Sequence, residues 1–140
     1  MTRTKEISHQ HNKHSIFTWP SVFLSALAGV ACVVFLGLFE YQVRLNLISL
    51  MLALCAGCYM NGPYGRLESA GGLFFYMCAY FGLNNPAWLG LGWLIHGIVD
   101  AFHHHADYPI VHWIWFSSVG CAAMDPILAG YFFMGAPTIF

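Results

Sequence analysis

Apolar residues run along this chain in five stretches, separated by short clusters of polar and turn-forming residues. The first stretch, Ile16 to Phe39, is long enough to cross a bilayer core of ~30 Å at about 1.5 Å per helical residue. Its beginning resembles the hydrophobic part of a signal peptide, and Ala26-Leu27-Ala28 has the small residues of a cleavage site. The apolar run continues through Gly29 to Leu36, however, which favours an uncleaved signal anchor. After the polar turn Glu40 to Arg44 comes a second run, Leu45 to Met60, ending in Asn61-Gly62-Pro63-Tyr64-Gly65-Arg66. Proline cannot extend a helical ladder and glycine tolerates left-handed backbone, so this cluster predicts a turn. The third run, Leu67 to Leu83, stops at Asn84-Asn85-Pro86, and the fourth starts there with Pro86 suited to a first helical turn. An aromatic stretch, Ile110 to Phe116, leads to the fifth run, Ser118 to Met134, which contains Asp125-Pro126 and ends at Gly135-Ala136-Pro137.

This pattern predicts an all-α fold, a polytopic transmembrane helix bundle of five spans. The third and fifth runs lie near the lower length limit for a span, so four spans with one re-entrant segment is the alternative. The domain organisation expected is a polar cytoplasmic N-terminal tail, residues 1–15, followed by a single transmembrane helical domain, residues 16–140.

Composition agrees with the pattern. Of 140 residues 59% are apolar and only 8% charged, with mean hydropathy +0.62, where a soluble domain carries about a quarter charged residues. A net charge of −1 offers no basic patch for phosphates, which excludes nucleic acid as a partner. With the N-terminus inside, five spans place Arg3, Lys5, Lys13 and Arg66 in the cytoplasm and Arg44 alone outside. That positive-inside bias predicts a multi-pass protein of the cytoplasmic membrane, surrounded by lipid. Trp19, Trp88, Trp113 and Trp115 fall near predicted span ends, as interfacial aromatic belts do. The five cysteines, Cys32, Cys55, Cys58, Cys78 and Cys121, are odd in number and lie in apolar runs, where thiols act as small hydrophobes. Cys55 and Cys58 have a CxxC spacing, but burial in lipid disfavours the thiolate that redox or metal chemistry needs, and packing is the better reading.

The fourth run carries the chemistry. Trp93, His96, Asp100, His103 and Asp107 recur at spacings that place all five on one face of a helix, with His104 on its shoulder and His105 opposite. Ionisable groups within an apolar segment are costly and mark function. Imidazole and carboxylate one turn apart can reach a single ion, and this donor set suits zinc or iron. His96, Asp100, His103 and His104 are therefore the candidate metal ligands. Asp125 is an additional ligand or a general base, and Glu68, His112, Ser117 and Ser118 are further candidates for the same site. Alternatively, an Asp one turn from a His fixes its tautomer, and the stripe is an interhelical hydrogen-bond network. Ser8 to His14 is His-rich but reads as a flexible tail, and Glu40 and Arg44, four residues apart, read as an interfacial pair.

Gly90-Leu91-Gly92-Trp93-Leu94-Ile95-His96, Asp100, His103-His104, Pro109-Ile110, Ser117-Ser118, Gly120-Cys121, Asp125-Pro126 and Gly135-Ala136-Pro137, with Tyr59, Asn61-Gly62, Gly65 and Glu68, resemble a family of small bacterial multi-pass membrane proteins. That family is known only as a domain of unknown function (DUF6010-like). The resemblance covers Tyr59 to Phe140 and implies a polytopic membrane fold but no activity. Two better-known patterns fit less well. Membrane fatty-acid hydroxylases need a second histidine box on another helix, and hydrolases of the alkaline-ceramidase type have a different residue order and span count.

The function expected is a small metal-binding membrane protein and, if an enzyme, a metal-dependent hydrolase or oxidoreductase. Two alternatives stand beside it: a structural or accessory subunit packed against a membrane-protein partner or a second copy, and a proton or ion pathway.

Overall fold

The structure, a computed structural model, describes residues 19–60, 65–106 and 117–139. The N-terminal tail with its His-rich segment, the turn at residues 61–64, and residues 107–116 with Asp107, His112, Trp113 and Trp115 lie outside the described residues. Every regular element among the described residues is an α-helix: α1 (Trp19–Leu36), α2 (Tyr41–Tyr59), α3 (Arg66–Gly82), α4 (Pro86–His105) and α5 (Ser117–Phe133).

Local chemistry sets several helix ends. The Asn85 side chain accepts from the Ala87 amide at 3.0 Å and Pro86 occupies the first turn, so α4 starts with an orphan donor satisfied. α5 ends where Ala136 N–H returns to Tyr131 O and Gly135 N–H to Phe132 O, each at 3.0 Å. Gly135 stands there at φ 84°, the left-handed conformation such a cap requires.

α1 and α2 are long and apolar enough to cross a membrane. α3 and α5, at 17 residues each, are shorter. α4 has 20, but its His and Asp residues lower its hydropathy. Of the five spans expected, two are thus both long and apolar enough among the described residues.

α4 lies centrally, packed against α5, α3 and α2, while α1 packs on α5. The buried positions of α4 are Leu89, Gly90, Gly92, Trp93, His96, Gly97, Asp100 and His103, a continuous face with helical period. Glycine lets helices approach at two places. A Cβ on Gly72 would stand 2.9 Å from the Ala56 carbonyl oxygen across the α2–α3 contact, and one on Gly97 would stand 3.0 Å from Asp125 Cβ across α4–α5. Polar and apolar side chains are found both inside and outside the bundle. Arg44, Ser49, Glu68, His96, Asp100, His103, Ser118 and Asp125 are buried, while Phe23, Leu24, Leu50, Leu54, Leu73, Ile98 and Phe102 are exposed.

Arg44 corrects the expected Glu40–Arg44 pair. Glu40 is exposed, whereas the Arg44 guanidinium turns inward and donates from Nη1 to Tyr131 Oη at 3.0 Å and to the Pro137 carbonyl at 2.9 Å. The buried guanidinium thereby gains two fixed oxygen acceptors, and it ties α2 to the segment that follows α5.

Candidate metal centre

α4 and α5 run antiparallel and each carries a donor pair one turn apart, His96/Asp100 on α4 and Cys121/Asp125 on α5. The close approach at Gly97 brings the two pairs face to face. Donor atoms of all four residues lie within 4.8 Å of one another, and His96, Asp100 and Asp125 are buried. His96 Nδ1 is 2.7 Å from Asp125 Oδ2 and 3.8 Å from Asp100 Oδ2. Pro126, inside α5 directly after Asp125, lacks the N–H that would close the ladder onto the carbonyl four residues back, which loosens the helix beside the site.

α2 contributes from the other side. Tyr59 Oη donates to Asp100 Oδ1 at 2.7 Å, fixing that carboxylate with its second oxygen toward His96. Cys55, one turn earlier on the same face, also interacts with His96. The edges of Tyr59, Phe75 and Trp93 surround the imidazole at centroid separations of 5.5, 5.3 and 5.6 Å. This aromatic casing excludes water and lowers the local dielectric, so charges inside interact strongly.

The expected ligands therefore divide. His96, Asp100 and Asp125 converge. His103 turns to α3, where its Nε2 lies 3.3 Å from Glu68 Oε1, and both residues are buried. His104 is half-buried and outside the cluster, and His105 is exposed. Ser118 is buried. Cys121 is the donor that sequence reasoning set aside as a small hydrophobe. Its signal was available, since Cys121-x-x-x-Asp125 repeats on α5 the spacing of His96-x-x-x-Asp100 on α4.

One feature distinguishes the cluster from a self-contained hydrogen-bond network. Asp125 is fully buried, and its Oδ1 finds no hydrogen-bond partner among the described residues. An orphaned carboxylate oxygen in an apolar interior is costly, and a cation beside it removes that cost. Nitrogen, carboxylate oxygen and sulfur donors in one small space suit zinc or iron.

No curated protein and no solved structure matches this chain. A family model described as a family of unknown function (DUF6010) matches residues 21–138 and so extends across α1, beyond the part in which the resemblance was legible. The chain belongs to this family of unknown function.

Proposed function

We propose that the chain is a multi-pass membrane protein that holds one divalent transition-metal ion, zinc or iron, among His96, Asp100, Cys121 and Asp125. The surface of the bundle supports the membrane setting: many large apolar side chains are exposed, while eight charged or polar ones among the described residues are buried beside the apolar core. The excess of Lys and Arg in the N-terminal tail and at Arg66 supports a cytoplasmic N-terminus. The observation that carries the metal reading is the convergence of four donors around an Asp125 oxygen that has no hydrogen-bond partner among the described residues. Two carboxylates within an apolar bundle repel each other, and a divalent cation between them offsets that repulsion.

Four protein donors fill the tetrahedron that zinc prefers and leave no open position for a substrate, which suits holding the ion. Iron, with six positions, would keep room for a water or a substrate oxygen and would allow hydrolytic or redox chemistry. His103, with Glu68, stands outside this coordination set.

Purified full-length protein is expected to carry close to one equivalent of zinc or iron by elemental analysis. His96→Ala and Asp125→Asn are expected to lose it, both remaining helical and monodisperse in detergent. Wild-type protein with no metal above the buffer background would overturn the reading. It would favour instead an interhelical network built on the His96–Asp125 and Tyr59–Asp100 contacts, each 2.7 Å, as in a structural or accessory subunit.

A further inference from the structure

We propose that the ion enters the centre from the end of the bundle where α3 begins and α4 ends, with Glu68 and His103 as the ligands that pass it inward. This rests on the metal-binding reading above. A metal ion cannot reach a buried centre through lipid or through packed hydrocarbon, so its route must be lined with donors.

The two ends of the bundle differ in what they offer. From His96 toward the start of α4, the buried side chains are Trp93 and Leu89, with Leu52, Ser49, Cys78, Leu128 and Phe132 from the neighbouring helices. Beyond them stands the buried cation Arg44, held by Tyr131 and Pro137. An approaching cation would meet a like charge there and then a core that offers no buried carboxylate or imidazole among the described residues before His96.

The other end reverses both terms. Glu68, in the first turn of α3, places a buried carboxylate 3.3 Å from His103 Nε2. The His103 ring lies 6.1 Å from that of Tyr59, whose hydroxyl holds Asp100 at 2.7 Å. His103, Asp100 and His96 follow one another on a single face of α4, a turn apart at each step. Glu68 and His103 thus supply an oxygen and a nitrogen donor one station short of the centre, and no role in holding the ion there uses them. The ladder ends at Asp100, which belongs to both the route and the centre.

Rate and equilibrium separate this role from coordination. Metal-free full-length protein in lipid nanodiscs is mixed with Co(II), and loading is followed by the near-ultraviolet absorption of a cobalt–thiolate bond at Cys121. Glu68→Gln and His103→Gln are each expected to slow loading about tenfold or more, with the final absorbance unchanged. Arg44→Lys, which keeps the charge at the opposite end, is expected to load at the wild-type rate. Wild-type rates in both Glu68 and His103 variants would overturn the entry route, and so would an equal fall in rate and final absorbance, which would make the two residues supports of the centre. If Glu68→Gln does not fold, Glu68→Asp keeps the charge on a shorter arm and is expected to load at an intermediate rate. Wild-type rate in that variant would equally overturn the route. Failure of the wild-type protein to bind cobalt at all would count against the metal reading itself.

Discussion

Tyr59 shows how much a single side chain outside the donor set contributes. Its hydroxyl is the hydrogen-bond donor at 2.7 Å to Asp100 Oδ1, and its ring stands against both His96 and His103. Tyr59→Phe keeps the ring and removes the donor, leaving a buried carboxylate oxygen unsatisfied at a cost of about 1–3 kcal/mol. Asp100 would then be free to rotate away from His96, and loss of such an orienting bond weakens metal affinity by about 10–100-fold. The expected result is a lower melting temperature in detergent together with faster loss of metal to a competing chelator. Unchanged chelator competition would mean that the Asp100 orientation is set elsewhere. Phe75→Leu, which alters the aromatic casing of His96 but removes no donor and no hydrogen bond, separates packing loss from loss of orientation.

At the scale of helices, the α2–α3 and α4–α5 pairs depend on backbone approach at glycine. Gly72 faces the Ala56 carbonyl, and a Cβ there would come within 2.9 Å of a backbone oxygen that cannot swing aside. Gly71, one position earlier, has open space around its added Cβ. Gly72→Ala is therefore expected to push α3 off α2 and destabilise the bundle by about 1–3 kcal/mol, the usual cost of overpacking. Gly71→Ala is expected to be neutral or slightly stabilising. Unfolding of both variants in graded denaturing detergent tests the contrast, and equal stabilities would mean that the α2–α3 contact relaxes without cost. The sequence made one part of this arrangement legible. His96, Asp100 and His103 fall at helical spacing in an apolar run, and that spacing alone selects the buried face of α4. What α4 faces was beyond its reach. Whether His103 meets Glu68 or the His96 centre depends on how α3 docks, and Arg44 reaches the Pro137 carbonyl only because the chain folds back after α5. Cys121 was overlooked for a different reason, since a thiol in an apolar run has the same sequence signature whether it packs or ligates.

For the whole molecule, the proposed membrane setting gives α3, with 17 residues, two arrangements, crossing the bilayer or turning back within it. Three observations favour crossing. α3 packs against both α2 and α4, Glu68 at its start meets His103 at the end of α4, and Gly82 at its end lies against Leu89 near the beginning of α4. α3 and α4 are therefore antiparallel over nearly their whole length, and a re-entrant α3 would carry α4 with it. A short epitope inserted after Leu38, after Gly65 or after Asn84, each in a turn between helices, reports the side of the membrane when antibody is added to sealed cells or inverted vesicles. Five spans place the Leu38 and Asn84 insertions on one side and the Gly65 insertion, beside Arg66, on the cytoplasmic side. The Gly65 and Asn84 insertions on the same side would overturn the crossing of α3. The outcome also fixes which compartment supplies the metal. Glu68 lies three residues from Gly65, so a cytoplasmic Gly65 epitope places the proposed entrance at the cytoplasmic face, with the Arg44 end on the opposite side.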